Sequence, residues 1–314
     1  MTGEHFVVYG EPALVVALDR RVTVKASERS DMSIRVASDL GLSGIFEGTS
    51  FTAGEGGADC ERFLEPVRIA AEATLDKTGA RRGLNIEVQS ELPLGAGLGS
   101  SSATSVATVA AVGKLLDARL DQSEIAELAL AAERFVHVNP SGVDPAVSTY
   151  GGLILYKQGQ GNKRLRLAAR LPLVIGNTGL TRSTGRLVSL VRERRDRWPN
   201  VVDPLIKLAG ILTTNATTAL ETGNLKEFGE LMDVDQGLLV AIGVSNEALD
   251  RLIYAARRAN ALGAKLTGAG GGGCMIALCT EGTQPSIAEA IRGAGGEPIT
   301  AATSETGVQA WLEN

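Results

Sequence analysis

The chain has 314 residues, 44% hydrophobic and 21% charged, with a formal net charge of -5. That length can bury a core without disulfide or metal staples, and the acidic balance argues against a nucleic-acid partner, which would call for a basic face. The sequence has no apolar run of about 18 residues and no basic-then-apolar leader pattern, so no membrane partner is expected, and three cysteines without metal spacing (Cys60, Cys274 and Cys279) fit a reduced, cytoplasmic setting.

Residues 6–17 are apolar and β-branched, interrupted by Gly10-Glu11-Pro12, and predict strand, turn, strand. A strand is expected over 22–26, and short strands with loops over the Gly-, Ser- and Asp-rich stretch 27–57. Across 62–78 apolar positions recur with a helical period, which puts Phe63, Val67, Ala70, Ala71 and Leu75 on one face. Residues 84–90 alternate as a strand, and a glycine-rich turn leads into an Ala/Val-rich helix over 102–116 and a second helix over 121–134. Strands follow at 153–156 and 173–176, then mostly helix from 184 to near 260. A strand at 264–267, a glycine loop, a strand at 274–279, a helix near 287–292 and a last strand near 298–303 complete the chain. This order predicts two α+β lobes, residues 1–165 and 166–314, divided within the polar stretch 157–170.

The segment Pro93-Leu94-Gly95-Ala96-Gly97-Leu98-Gly99-Ser100-Ser101-Ser102 joins a predicted strand to a predicted helix. A helix start carries unpaired N–H groups and partial positive charge, and glycines let that backbone approach a phosphate. The serines can cap the helix, bond phosphate oxygens or ligate magnesium. No Gly-Lys-Ser/Thr follows, so this is not a Walker A loop, and the spacing is not that of a dinucleotide fold. Downstream lie Glu133, near the end of a predicted helix, and Asp144, in a segment of turn formers. Alone they would read as a surface helix residue and a turn aspartate capping its own backbone. Behind a phosphate loop, one carboxylate to hold magnesium and one to orient an alcohol and take its proton suit phosphoryl transfer.

Three segments, in order, resemble the motifs of the GHMP kinase superfamily: Gly3-Glu4-His5-Phe6-Val7-Val8-Tyr9-Gly10, then Gly95 to Ser101, then Lys265-Leu266-Thr267-Gly268-Ala269-Gly270-Gly271-Gly272-Gly273-Cys274. The resemblance is to the mevalonate-phosphorylating members, of archaeal type. It implies the two-lobed GHMP kinase fold, α+β, with an N-terminal lobe like ribosomal protein S5 domain 2 and a ferredoxin-like C-terminal lobe. It implies transfer of the ATP γ-phosphate to the 5-hydroxyl of mevalonate in isoprenoid precursor synthesis, with Mg2+ as cofactor, ATP and mevalonate as ligands, and a homodimer as the expected assembly.

The same resemblance assigns roles. Ser90 and residues Pro93 to Ser102 would bind ATP, Ser101 and Glu133 would ligate the metal, and Asp144 would be the catalytic base. Glu4, His5, Asp144, Tyr150, Arg182, Thr184, Gly270 and Gly271 would line the substrate site; Tyr150 reads equally as a core residue. The family's lysine a few residues before Gly-Glu-His has no counterpart in this sequence, and Arg182 is the candidate cation to face Asp144. Phosphomevalonate or homoserine kinases of the same superfamily, and a non-catalytic binder with this fold, are the alternatives. Val7-Val8-Tyr9-Gly10 after Glu4-His5, and Ser148-Thr149-Tyr150-Gly151-Gly152 after Ser141-Gly142-Val143-Asp144, favour mevalonate. Ser101, Glu133 and Asp144 together favour catalysis. His137, Cys274 and Cys279 read as structural, and the Arg192 to Arg197 charge run as a solvated helix face.

Overall fold

In the computed structural model, residues 1–57, 60–92, 97–136, 142–167, 170–180 and 184–313 are described. They form two compact units that alternate along the chain. The first holds residues 1–19, 97–98 and 152–305, the second residues 20–92, 99–151 and 306–313, counting described residues only.

The second unit is built on strands β2 (Val22–Arg29), β3 (Ile34–Ser38), β4 (Leu42–Glu47), β5 (Ser50–Ala53) and β6 (Gly83–Ser90), in spatial order β2-β6-β3-β4-β5. Strand β3 runs parallel to β6, with Ile34 opposite Leu84, and the other pairs are antiparallel. Alternate residues Ile34 and Val36, and Leu84, Ile86 and Val88, are buried on one face, as a period of two requires. Helix α1 (Glu61–Thr78) covers that face with Leu64, Val67, Ala71 and Leu75. Phe63, expected on this stripe, is instead exposed beneath the Arg62 guanidinium, 4.6 Å from its ring centroid. Leu64 takes the buried place, one position further round the helix, and the cation covers the displaced ring. Helices α2 (Ser100–Leu115), α3 (Gln122–Val136) and α4 (Val143–Tyr150) complete the unit. In α2 the buried Ser105 and Thr108 hydroxyls donate to the carbonyls of Ser101 and Thr104 one turn back, so the helix is packed on several sides without stranding polar groups. The chain returns beyond residue 305, where Val308 packs on Ala70, Val106, Val109, Ala129 and Ala132, and its N–H donates to Thr149 O at the end of α4.

The first unit contains an antiparallel sheet of β10 (Gly263–Leu266), β11 (Cys274–Leu278), β9 (Pro172–Asn177) and β12 (Glu297–Ala302), in that order. Ile175 lies between Ile276 and Ile299. Helices α5 (Thr184–Arg197), α6 (Pro199–Glu221), α7 (Leu225–Ala241), α8 (Glu247–Arg258) and α9 (Gln284–Gly293) bury their apolar stripes against it and each other. A second sheet has the order β1 (Ala13–Val16), β7 (Leu153–Lys157), β8 (Gly161–Leu165). The polar residues 157–163 are the turn and return strand of the β7–β8 hairpin, and the change of unit falls at Gly151–Gly152. Residues 6–9, expected as strand, form a short 3-10 helix closed by Gly10, whose N–H donates to Val7 O. A four-residue apolar run cannot be told from a buried helical turn by periodicity, and Phe6 is fully buried at its start. No described helix is long and apolar enough to cross a membrane.

Candidate functional site

In the second unit, Gly99 takes a left-handed conformation (φ 72°) and opens α2 with Ser100, Ser101 and Ser102. Among the described residues no side chain caps this end, and its first turn carries no acidic residue. Its amides and the positive end of the helix dipole therefore suit an anion. Ser100 and Ser102 are buried, whereas Ser101 is exposed. Gly97 and Leu98 belong to the first unit, where Leu98 packs against the core containing Leu14 and Ile276. Ser90 closes β6 in a local turn, its Oγ donating to Leu92 O at 2.9 Å while its N–H donates to Asp39 Oδ2.

Asp144 stands in the first turn of α4, behind Gly142 at φ 77°. A Cβ built on Gly99 would lie 3.9 Å from the Asp144 carboxyl carbon, so this aspartate faces the start of α2. Glu133, on α3, is 7% exposed, and its Oε2 has no hydrogen-bond partner among the described residues. Burial, reinforced by the charge of Asp144, pushes its carboxyl up to about 8. A buried carboxyl with an unsatisfied oxygen beside a second carboxylate is costly unless a cation joins it. A hard divalent ion with oxygen ligands fits that need. No group of three or more His, Cys, Asp or Glu among the described residues could hold a metal by itself, so most ligands would have to come from hydroxyls, water or a substrate's phosphates.

Tyr150 ends α4 and Thr184 begins α5, both partly exposed. Pro93, Leu94, Gly95, Ala96 and Arg182 lie outside the described residues, as does His137.

The first unit brings together Glu4, His5 and the third glycine segment. Phe6 N–H donates to Glu4 O at 2.7 Å, which closes a three-residue turn on His5 at φ 61°, ψ -37°. His5 Nε2 lies 2.8 Å from Ala269 O. The glycine segment is anchored on both sides: Gly271 N–H donates to Val244 O, and Gly273 N–H to Leu180 O. A Cβ on Gly270 would sit 2.1 Å from Val244 O, so only glycine fits there.

Two further residues join this group. Lys265, fully buried on β10, donates to Glu4 Oε1 at 2.5 Å and to Leu266 O at 2.9 Å, and lies 3.4 Å from Asp235 Oδ2 of α7. Burial would raise Glu4, but the charge and hydrogen bond of Lys265 together with the positive amino end of the chain outweigh it and hold the carboxyl below its ordinary value. Burial pushes Asp235 up to about 6 against the pull of Lys265. Lys265 opens the third motif, and the resemblance assigns it no role. A lysine inside an apolar strand such as Gly-Ala-Lys-Leu demands a buried counter-charge, and that was the available signal. Asp235 carried none.

The chain matches two family profiles, "GHMP kinases N terminal domain" over residues 65–152 and "GHMP kinases C terminal" over residues 216–297. It is 42% identical to a mevalonate kinase of Pyrococcus abyssi over 98% of this chain and 93% of that one. It is 39% identical to a mevalonate kinase of Pyrococcus furiosus, over 98% and 94%. Among solved structures, an L. major mevalonate kinase in complex with R-mevalonate superposes with a TM-score of 0.83 at 26% identity, covering 98% of this chain and 93% of that one.

Proposed function

This chain belongs to the mevalonate kinases of the GHMP kinase family, and on that premise we propose that it transfers the γ-phosphate of ATP to the 5-hydroxyl of mevalonate, giving 5-phosphomevalonate and ADP. One observation supports the chemistry: Asp144 faces the uncapped start of α2, and its charge acts on Glu133, whose buried Oε2 has no partner among the described residues.

In this reading the amides after Gly99 and the hydroxyls of Ser100 to Ser102 receive the phosphates, with residues 93–98 as the rest of the cradle. Glu133 and Ser101 would hold magnesium, which when bound offsets the charge of the β- and γ-phosphates. Asp144 accepts a hydrogen bond from the attacking hydroxyl, aligns it and takes its proton. His5, presented by its tight turn, bonds the polar groups of the alcohol, and Gly270 and Gly271 allow backbone to approach it closely. Thr184, Arg182 and Tyr150 are the remaining proposed substrate contacts, with Ser90 near the nucleotide. A cytoplasmic homodimer in isoprenoid precursor synthesis completes the proposal.

A coupled ADP-release assay with mevalonate, phosphomevalonate and homoserine tests it. Release dependent on mevalonate is expected. Faster release with either other acceptor would move the chain to another kinase of the family, and ATP binding without release would make it a binder.

A further inference from the structure

The Glu4–His5–Phe6 turn is an unfavourable conformation for an L-residue. Its central φ of 61° with ψ -37° and its Phe6 N–H to Glu4 O bond make it the rare γ-turn of positive φ. Such backbone is costly and persists only where its surroundings over-determine it. Three tethers surround it here. Phe6 is wholly buried, the His5 ring meets Ala269 O, and Glu4 is held by Lys265. The third is unlike the others, because it places a full charge inside the protein. Lys265 directs its ammonium to Glu4 and Leu266 O, with Asp235 close by; of these only Glu4 is expected at the substrate site, and Lys265 and Asp235 have no role in the reaction proposed above.

We infer that Lys265 is a positioning residue: its ion pair with Glu4 clamps the γ-turn and so aims the His5 imidazole at the alcohol substrate. Asp235 has a different part. With Glu4 and Asp235 ionised against one ammonium, the three side chains carry a net charge of about -1; burial acts on both carboxyls, and Asp235 is the one raised on balance. Its Oδ2 lies 3.4 Å from the ammonium and supplies the excess negative charge, while the Glu4–Lys265 pair holds the turn. The inference rests on the proposed function only in naming what His5 contacts.

The test compares three proteins. Asp235→Asn leaves a balanced Glu4–Lys265 pair, and its KM for mevalonate stays within about twofold of the parent's. Lys265→Met made in that Asp235→Asn background returns the cluster to the parent's net charge of about -1 but removes the clamp. It raises KM for mevalonate about tenfold, the worth of one misplaced hydrogen bond, with KM for ATP nearly unchanged. The same pair of changes in a His5→Ala protein raises KM no further, because the residue that the clamp aims is gone. Additive effects of the clamp and His5, or an Asp235→Asn defect equal to that of the double variant, would overturn the inference.

A second readout needs no substrate. The chain has two histidines, so the His5 ring resonances are assigned by comparison with His5→Ala. Removing Lys265 in the Asp235→Asn background shifts or broadens them, and an unmoved His5 signal in a folded protein refutes the clamp whatever alcohol the enzyme uses. If instead the parent protein ignores mevalonate while the His5 signal shifts, the functional reading fails and the clamp stands.

Discussion

Glu133 combines burial with an unsatisfied oxygen, and this gives it a pH signature. Its carboxyl titrates near 8 in the folded chain against an ordinary 4.5, because burial and then the Asp144 charge disfavour ionisation. The folded protein therefore holds a proton that the unfolded chain gives up between these two values. The stability penalty is absent below pH 4.5 and accumulates as pH rises toward 8, at about 1.4 kcal/mol for each unit of pH. Urea unfolding of the metal-free protein should show stability falling by a few kcal/mol at most from pH 5 to 8 on this account. Glu133→Gln should flatten that fall while weakening magnesium-dependent nucleotide binding, and an unchanged pH slope in the variant would contradict the assignment. The glycine loop and the Gly-Val-Asp turn are what single out Glu133 and Asp144 in the sequence, and the structure adds the burial of Glu133 and the charge of Asp144 upon it. Lys265 and Asp235 were not given roles, since Lys265 meets Glu4 across a separation of 261 residues and no spacing rule predicts such a partner.

At the scale of elements, periodicity located the strands and helices whose buried faces are long, such as β6 and α1, and misplaced those decided by few residues. The apolar run 6–9 became a 3-10 helix because a strained turn and the burial of Phe6 dictate its course. Close approaches between elements are equally silent in sequence. Gly229 of α7 and Gly263 of β10 touch backbone to backbone: a Cβ on Gly229 would lie 2.2 Å from Leu262 O, and one on Gly263 would lie 2.1 Å from Gly229 O. Carbonyls cannot yield as side chains do, so Gly229→Ala should cost more than about 2 kcal/mol in chemical denaturation, and near-parental stability would refute this packing. Among the described residues Gly99→Ala meets only an ordinary contact with Asp144 at 3.9 Å, but must hold φ 72°. It should lose about 1–2 kcal/mol of stability and raise KM for ATP more than KM for mevalonate; the reverse order would detach the α2 start from the nucleotide.

Across the whole molecule, the two compact units do not follow the chain. Strand β1 near the amino end pairs with β7, Ala13 opposite Tyr156, while residues 306–313 belong with the second unit. Composition shifts report linkers well and long-range strand exchange poorly, so the polar stretch 157–163 looked like a boundary and is a hairpin. The α+β character and the order of the motifs were legible because each motif is local. Ligand linkage is the property of the whole chain that the account predicts. Magnesium with ATP at about 100 times its Kd should stabilise the fold by about 2.7 kcal/mol, seen as a raised Tm, and EDTA should abolish most of the gain. An equal shift in EDTA would remove the metal role of Ser101 and Glu133.

Asp144 bears on the central claim most directly, because its carboxyl faces the start of α2, where the proposed reaction requires a group to align the alcohol. Single-turnover phosphorylation of mevalonate by Asp144→Asn, alongside its ATP affinity, isolates that role. The account predicts a phosphoryl-transfer step slowed by at least about 100-fold with ATP binding little changed. Transfer at a near-parental rate would contradict it.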